Sequence, residues 1–94
     1  MTSRVALVTG GTGGIGTAIC KRLHDQGHRV ATNFRDPVRA HAWQQTMSAQ
    51  GYPVALFAGH IAQTASAAAM VAAVEAQLGP VEVLVNNAGI TRDT

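Results

Sequence analysis

"VALVTGGTGGIG", residues 5–16, joins a short apolar run to a segment in which five of seven residues are glycine. Glycine loses more backbone entropy on folding than any other residue, so such a cluster weakens a fold unless bare backbone is needed there. The apolar run, Arg4 to Thr9, reads as a buried strand. Beyond the glycines, Ile15, Ala18, Ile19 and Leu23 fall on one helical face between Gly14 and Gln26, and Gly27 stands where a helix stop belongs. A strand, a turn and a helix in that order put a helix N-terminus, with free N–H groups and partial positive charge, beside the strand's carboxyl end. That suits a phosphate. Gly10 permits the tight bend, Gly14 lets a pyrophosphate reach the backbone, Gly16 lets the helix pack on the sheet, and Thr12 offers a hydroxyl. A bare strand-to-helix turn is the competing reading of the glycines taken alone. No Lys-Ser or Lys-Thr follows Gly16, which excludes the phosphate loop of a nucleoside triphosphatase.

Working outward, Arg29 to Phe34 reads as a second strand. Pro37 suits a first helical turn, and Val38 to Gln50 carries helix formers up to a stop at Gly51. Pro53 to Ala58 is a third strand. Thr64 to Leu78 is an Ala-rich helix with Met70, Val74 and Leu78 on one stripe, ended by Gly79-Pro80, and Val81 to Asn86 is a fourth strand. The order βαβαβαβ, with strands almost wholly apolar, implies an α/β fold with a parallel sheet covered on both faces. Right-handed crossovers give the strand order 3-2-1-4, one half of a doubly wound sheet whose ligand crevice opens between strands 1 and 4. There is no linker and no solenoid repeat. The fourth strand would be a long apolar edge, so residues 1–94 are expected to be the N-terminal part of a longer protein.

The composition narrows the partners. With 94 residues, 47% of them apolar, the chain supports one modest core. A net charge of +2 without a basic run argues against nucleic acid, and no apolar stretch reaches membrane-spanning length. One cysteine, Cys20, forbids an internal disulfide, and a cytoplasmic location is expected. Cys20 reads as a packed thiol; Trp43 reads as helix packing with Val38 and Met47, and Tyr52 as a partly buried packing residue. His24, His28, His41 and His60 lack metal-ligand spacing, so surface or capping roles are expected and no metal.

A second motif, Asn86-Asn87-Ala88-Gly89, follows the fourth strand and so lies across the crevice from the glycine turn. Thr9-Gly10-x-x-x-Gly14-Ile15-Gly16 together with this motif resembles the short-chain dehydrogenases/reductases, along the whole chain. The longer stretches "VTGGTGGIGTAICKRL" and "NNAGITRD" resemble the NADPH-dependent acetoacetyl-CoA reductases of polyhydroxyalkanoate synthesis; the related 3-oxoacyl-carrier-protein reductases share the second stretch but commonly carry Ser-Arg-Gly-Ile-Gly in the loop.

The resemblance implies a Rossmann-type sheet in which Gly10, Thr12, Gly13, Gly14, Ile15 and Gly16 hold the pyrophosphate. It implies that Gly59, His60 and Ile61 flank the adenine, with His60 standing where the family has Asp or Asn. It implies that Asn87, Ala88, Gly89, Ile90 and Thr91 line the ribose and nicotinamide side, and that Asp93 touches an acyl-CoA substrate. The family's catalytic Ser, Tyr and Lys would come from downstream, so no catalytic residue is assigned in this segment, and the 94 residues alone are expected to be inactive. The full-length form is expected to be a homotetramer with no nucleic-acid or membrane partner. A non-catalytic dinucleotide sensor on the same fold is the reading from another class.

The cofactor is expected to be NADPH. Counting from Gly16, the position where NAD-preferring sites carry an acid falls on Phe34. Arg35 follows at once and Arg39 one helical turn on, and either guanidinium suits a 2′-phosphate. Asp36, between them, offers a competing partner for one of them.

Overall fold

The computed structural model of the chain describes residues 4–10, 12–58 and 64–85. Its elements are β1 (Val5–Val8), α1 (Gly14–Asp25), β2 (Arg29–Phe34), α2 (Pro37–Ala49), β3 (Val54–Ala58), α3 (Thr64–Leu78) and β4 (Val81–Val85). All pairings are parallel, in the order β3-β2-β1-β4. The expected strand order and element types are therefore present, with ends shifted by one residue at most. The helix-stop glycines behave as the sequence implies: Gly27, Gly51 and Gly79 take φ values of 95°, 90° and 111°, left-handed conformations that a side chain would strain.

Two cores follow from the two-residue period of the strands. Ala6 and Val8 of β1 join Val30, Val54, Cys20, Leu23 and Met47 on the face covered by α1 and α2. Val5 and Leu7 join Ala31, Phe57, Met70 and Val74 on the face covered by α3. Met70 and Val74 are buried and Leu78 packs beside them, as the stripe on α3 requires.

Three expectations are corrected. The buried face of α1 is Gly16, Cys20 and Leu23; Ala18 is exposed, Ile19 half-buried and Ile15 58% exposed. Gly16, lacking a side chain, seats the helix on the sheet, and that contact turns Ile15 outward. On α2, Trp43 and Met47 share the packed side, but Val38 is 78% exposed. Five residues at 100° each put Val38 well round the helix from Trp43. The fourth strand is not covered on both faces. Its residues alternate between half-buried and exposed, and Leu84 is 60% exposed on the α3 face, opposite Leu7 in register. A register shift between Val5 and Ala6 makes Glu82 the extra residue, and Glu82 reaches Arg4 at 3.5 Å across solvent, a contact of small energetic weight.

Cys20 is fully buried, and that burial pushes its thiol from 9.0 up to about 11. A folded-state value above the unfolded one means that the stabilisation is complete below about pH 9 and is lost as pH rises towards 11. We expect the free energy of unfolding to fall by up to about 2 kcal/mol more in the native chain than in Cys20→Ala between pH 8.5 and 11. Denaturant titrations of both proteins across that range check it; parallel pH profiles would show that Cys20 does not couple to folding.

Candidate functional site

Where β1 ends, the chain must leave the sheet and enter α1 on one face of it. Thr9 is buried and tied to β4, with its amide 3.0 Å and its hydroxyl 3.3 Å from the carbonyl of Val85. Gly10 then turns with φ 68°, a left-handed conformation in which a Cβ would be strained. Its amide donates to Asn33 Oδ1 at 2.8 Å, and its carbonyl accepts from Gly13 N at 3.3 Å. Asn33 is buried near the end of β2, so the neighbouring strand holds the turn through a side chain.

Helix α1 begins at Gly14 with Gly13 as its N-cap, and among the described residues no side chain caps it. The N–H groups of the first turn are thus left for another acceptor. Gly13, Gly14 and Ile15 are all exposed, Thr12 is half-buried at the rim, and Gly16 is buried against the sheet. Among the described residues, a Cβ built on Gly14 would meet nothing within 4 Å, and one on Gly13 would meet only the Gly10 carbonyl, at 3.8 Å. Neither residue has positive φ. Packing among the described residues and backbone strain therefore do not require glycine at either position. The space in front of them lies at an uncapped helix N-terminus, at the carboxyl end of β1, where the order β3-β2-β1-β4 changes direction. Uncapped N–H groups, a helix dipole and bare backbone fit a phosphate that approaches from outside.

One strand over, Phe34 ends β2 half-buried, its ring 6.2 Å from that of His41. Arg35 and Arg39 are exposed, and among the described residues neither has an ion-pair partner. Asp36 does not pair with them: its Oδ1 accepts from Val38 N at 3.1 Å and Arg39 N at 3.4 Å and caps α2, with Pro37 in the first turn. The cap is a better use of that carboxylate, because it satisfies amides that have no intrahelical partner. Arg35 and Arg39 thus follow the carboxyl end of β2, the strand whose Asn33 holds the glycine turn.

Gly59, His60, Ile61, Asn87, Ala88, Gly89, Ile90, Thr91 and Asp93 lie outside the described residues. Three residues of the site were not foreseen. Asn33 is one, and its signal was present: a polar side chain in the buried strand Arg29–Phe34. Thr17 and Trp43 are the others. Thr17 Oγ1 donates to Gly13 O at 2.7 Å, and Trp43 Nε1 donates to Thr17 Oγ1 at 2.9 Å. No one-dimensional pattern announces a contact between residues 26 apart on two helices.

A groove of about 660 Å³ lies elsewhere, lined by His24, Arg29, Gln44, Ser48, Val54 and Leu78 among others. It sits at the amino end of β2 and β3, where α1 and α3 end. Helix C-termini carry partial negative charge, so that groove is the wrong end of the sheet for a phosphate. Among the described residues no group of three or more His, Cys, Asp or Glu side chains comes together, and no helix is long and apolar enough to cross a membrane.

The pattern of the short chain dehydrogenase family matches residues 4–94. An acetoacetyl-CoA reductase of Rhizobium meliloti is 49% identical over 92 residues, covering 97% of this chain and 36% of its own length. One from Allochromatium vinosum is 44% identical over 93 residues, covering 97% of this chain and 38% of its own length. A 3-oxoacyl-[acyl-carrier-protein] reductase of Staphylococcus aureus is 38% identical over 92 residues, with 97% and 37% covered. Among solved structures, an actinorhodin polyketide ketoreductase with NADPH superposes with a TM-score of 0.82 at 38% identity, over 90% of this chain and 33% of that one. The chain thus spans little more than a third of the length of these relatives.

Proposed function

The chain belongs to the short chain dehydrogenase family, and from that membership we propose that it is the N-terminal, cofactor-binding part of an NADPH-dependent reductase of 3-oxoacyl thioesters, acting on acetoacetyl-CoA. The observation that carries the cofactor half of this reading is the open space before Gly13 and Gly14 at an uncapped helix N-terminus. In it the amides of the glycine turn receive the pyrophosphate, while Arg35 and Arg39 receive the 2′-phosphate. When bound, the nicotinamide supplies the hydride that reduces the carbonyl. Residues 87–91 would line the ribose and nicotinamide, Gly59-His60-Ile61 the adenine, and Asp93 the thioester. The acid that protonates the product oxygen, and the Ser and Lys beside it, would follow Thr94 in a longer protein assembled as a homotetramer in the cytoplasm.

The substrate half rests on the relatives named acetoacetyl-CoA reductase, at 44% and 49% identity, against 38% for the carrier-protein reductase. NADPH oxidation by the longer protein, offered acetoacetyl-CoA and a carrier-linked 3-oxoacyl substrate side by side, tests it. Faster turnover per unit substrate with acetoacetyl-CoA is expected. Preference for the carrier-linked substrate moves the protein to fatty-acid synthesis, and turnover of neither moves it to dinucleotide sensing. Residues 1–94 alone are expected to bind NADPH and to oxidise none of it with either substrate.

A further inference from the structure

We propose that Thr17 and Trp43 form a positioning strut that sets where α2 presents Arg39 to the glycine turn, and thereby sets the preference for a 2′-phosphate; this rests on the NADPH reading above. Thr17 lies in the first turn of α1 and Trp43 in the middle of α2. An indole N–H can only donate and a backbone carbonyl can only accept. The Thr17 hydroxyl proton is therefore committed to Gly13 O, at 2.7 Å, and its lone pair to Trp43 Nε1, at 2.9 Å. The pair has one arrangement, and it is half-buried beside the core of Cys20, Leu23 and Met47.

Among the described residues this is the one hydrogen bond between α1 and α2. Farther along α2, Gln44 Nε2 donates to Val54 O at 2.7 Å and anchors the helix to β3 instead. Arg39 stands four residues before Trp43, on the same side of α2 and one turn nearer its N-terminus. Helical side chains lean towards the N-terminus, which is the end of α2 that carries Asp36 and Arg35. The strut thus ties the N-cap residue of the phosphate-binding helix to the turn of α2 that follows the one bearing the second guanidinium. The pyrophosphate and the 2′-phosphate hang from the same ribose and lie within a few bonds of each other, so the spacing of the two elements decides whether both are held together.

Calorimetric titration of Trp43→Phe, Thr17→Val and the double variant with NADPH and with NADH tests this, since Trp43 is the chain's single tryptophan and its fluorescence is lost in two of them. The dissociation constant for NADPH is expected to rise about three- to tenfold in each single variant, with NADH within about twofold, and the double variant no worse than the weaker single. Thr17→Ser, which keeps the hydroxyl, retains the preference. Equal weakening of both cofactors would reduce the pair to ordinary packing and overturn the inference, as would no change in either. Should the native chain bind both cofactors equally, the NADPH reading falls and the strut falls with it. Should the native chain prefer NADPH and the variants keep that preference, the strut alone falls. Unfolding midpoints of the native chain and the four variants identify any variant that loses its fold, and the single variant that keeps it decides.

Discussion

Replacing Arg35 and Arg39 together by Ala is expected to weaken NADPH binding roughly 10- to 100-fold and to leave NADH binding within about twofold. Both side chains are exposed and, among the described residues, unpaired, so removing them costs the fold little. The nearest carboxylate in sequence, Asp36, is spent on the cap of α2 and neither cancels nor orients the arginines by pairing. Phe34 ends the second strand where an acid would hold ribose hydroxyls and repel a phosphate. The expected loss is therefore confined to the cofactor that carries the extra phosphate. Because the guanidinium groups are exposed, NADPH affinity should also decline more steeply with salt in the native chain than in the double variant. Titrations with both cofactors at two ionic strengths measure this; unchanged NADPH affinity would make Arg35 and Arg39 simple solvated charges.

Gly14→Ala separates folding from binding with opposite signs. A methyl group at residue 14 enters open space and replaces a glycine in a helix, so stability should hold or rise by up to about 1 kcal/mol. The same methyl occupies the space that a pyrophosphate needs, so NADPH and NADH should both weaken about tenfold or more, and Gly14→Val should weaken them further. Gly10→Ala should behave the other way in stability, losing about 1–2 kcal/mol, because φ at residue 10 is 68°. Thermal unfolding and cofactor titration of the three variants check the pattern. Normal binding by Gly14→Ala would put the phosphate elsewhere.

The fold was legible because each level of the sequence agrees with the next. Strand runs of four to six residues, glycines at the helix ends and a proline at the start of α2 each have a local mechanism, and together they imply the order β3-β2-β1-β4. The misreadings are of helix rotation and of cover. Counting apolar residues put Ile15 on the inner face of α1, whereas a buried glycine three positions past the N-cap turned Ile15 outward. Hydropathy cannot weigh a glycine that packs by having no side chain. Leu84 reads as core in any apolar strand, and only the lie of α3 shows that it stays open. In the site, the glycine turn and the arginines were legible as local chemistry. Asn33, Thr17 and Trp43 were not read, because each acts on a residue more than ten positions away or on another element.

The central claim is that a dinucleotide lies on the glycine turn between β1 and α1, and amide chemical-shift mapping tests it most directly. Titrating NADPH into the isotope-labelled chain should shift the amides of Gly10, Gly13, Gly14, Ile15, Gly16, Arg35 and Arg39, and leave those around His24, Ser48 and Val54 in place. Shifts centred on that distant groove, or none at all at millimolar NADPH, would contradict it.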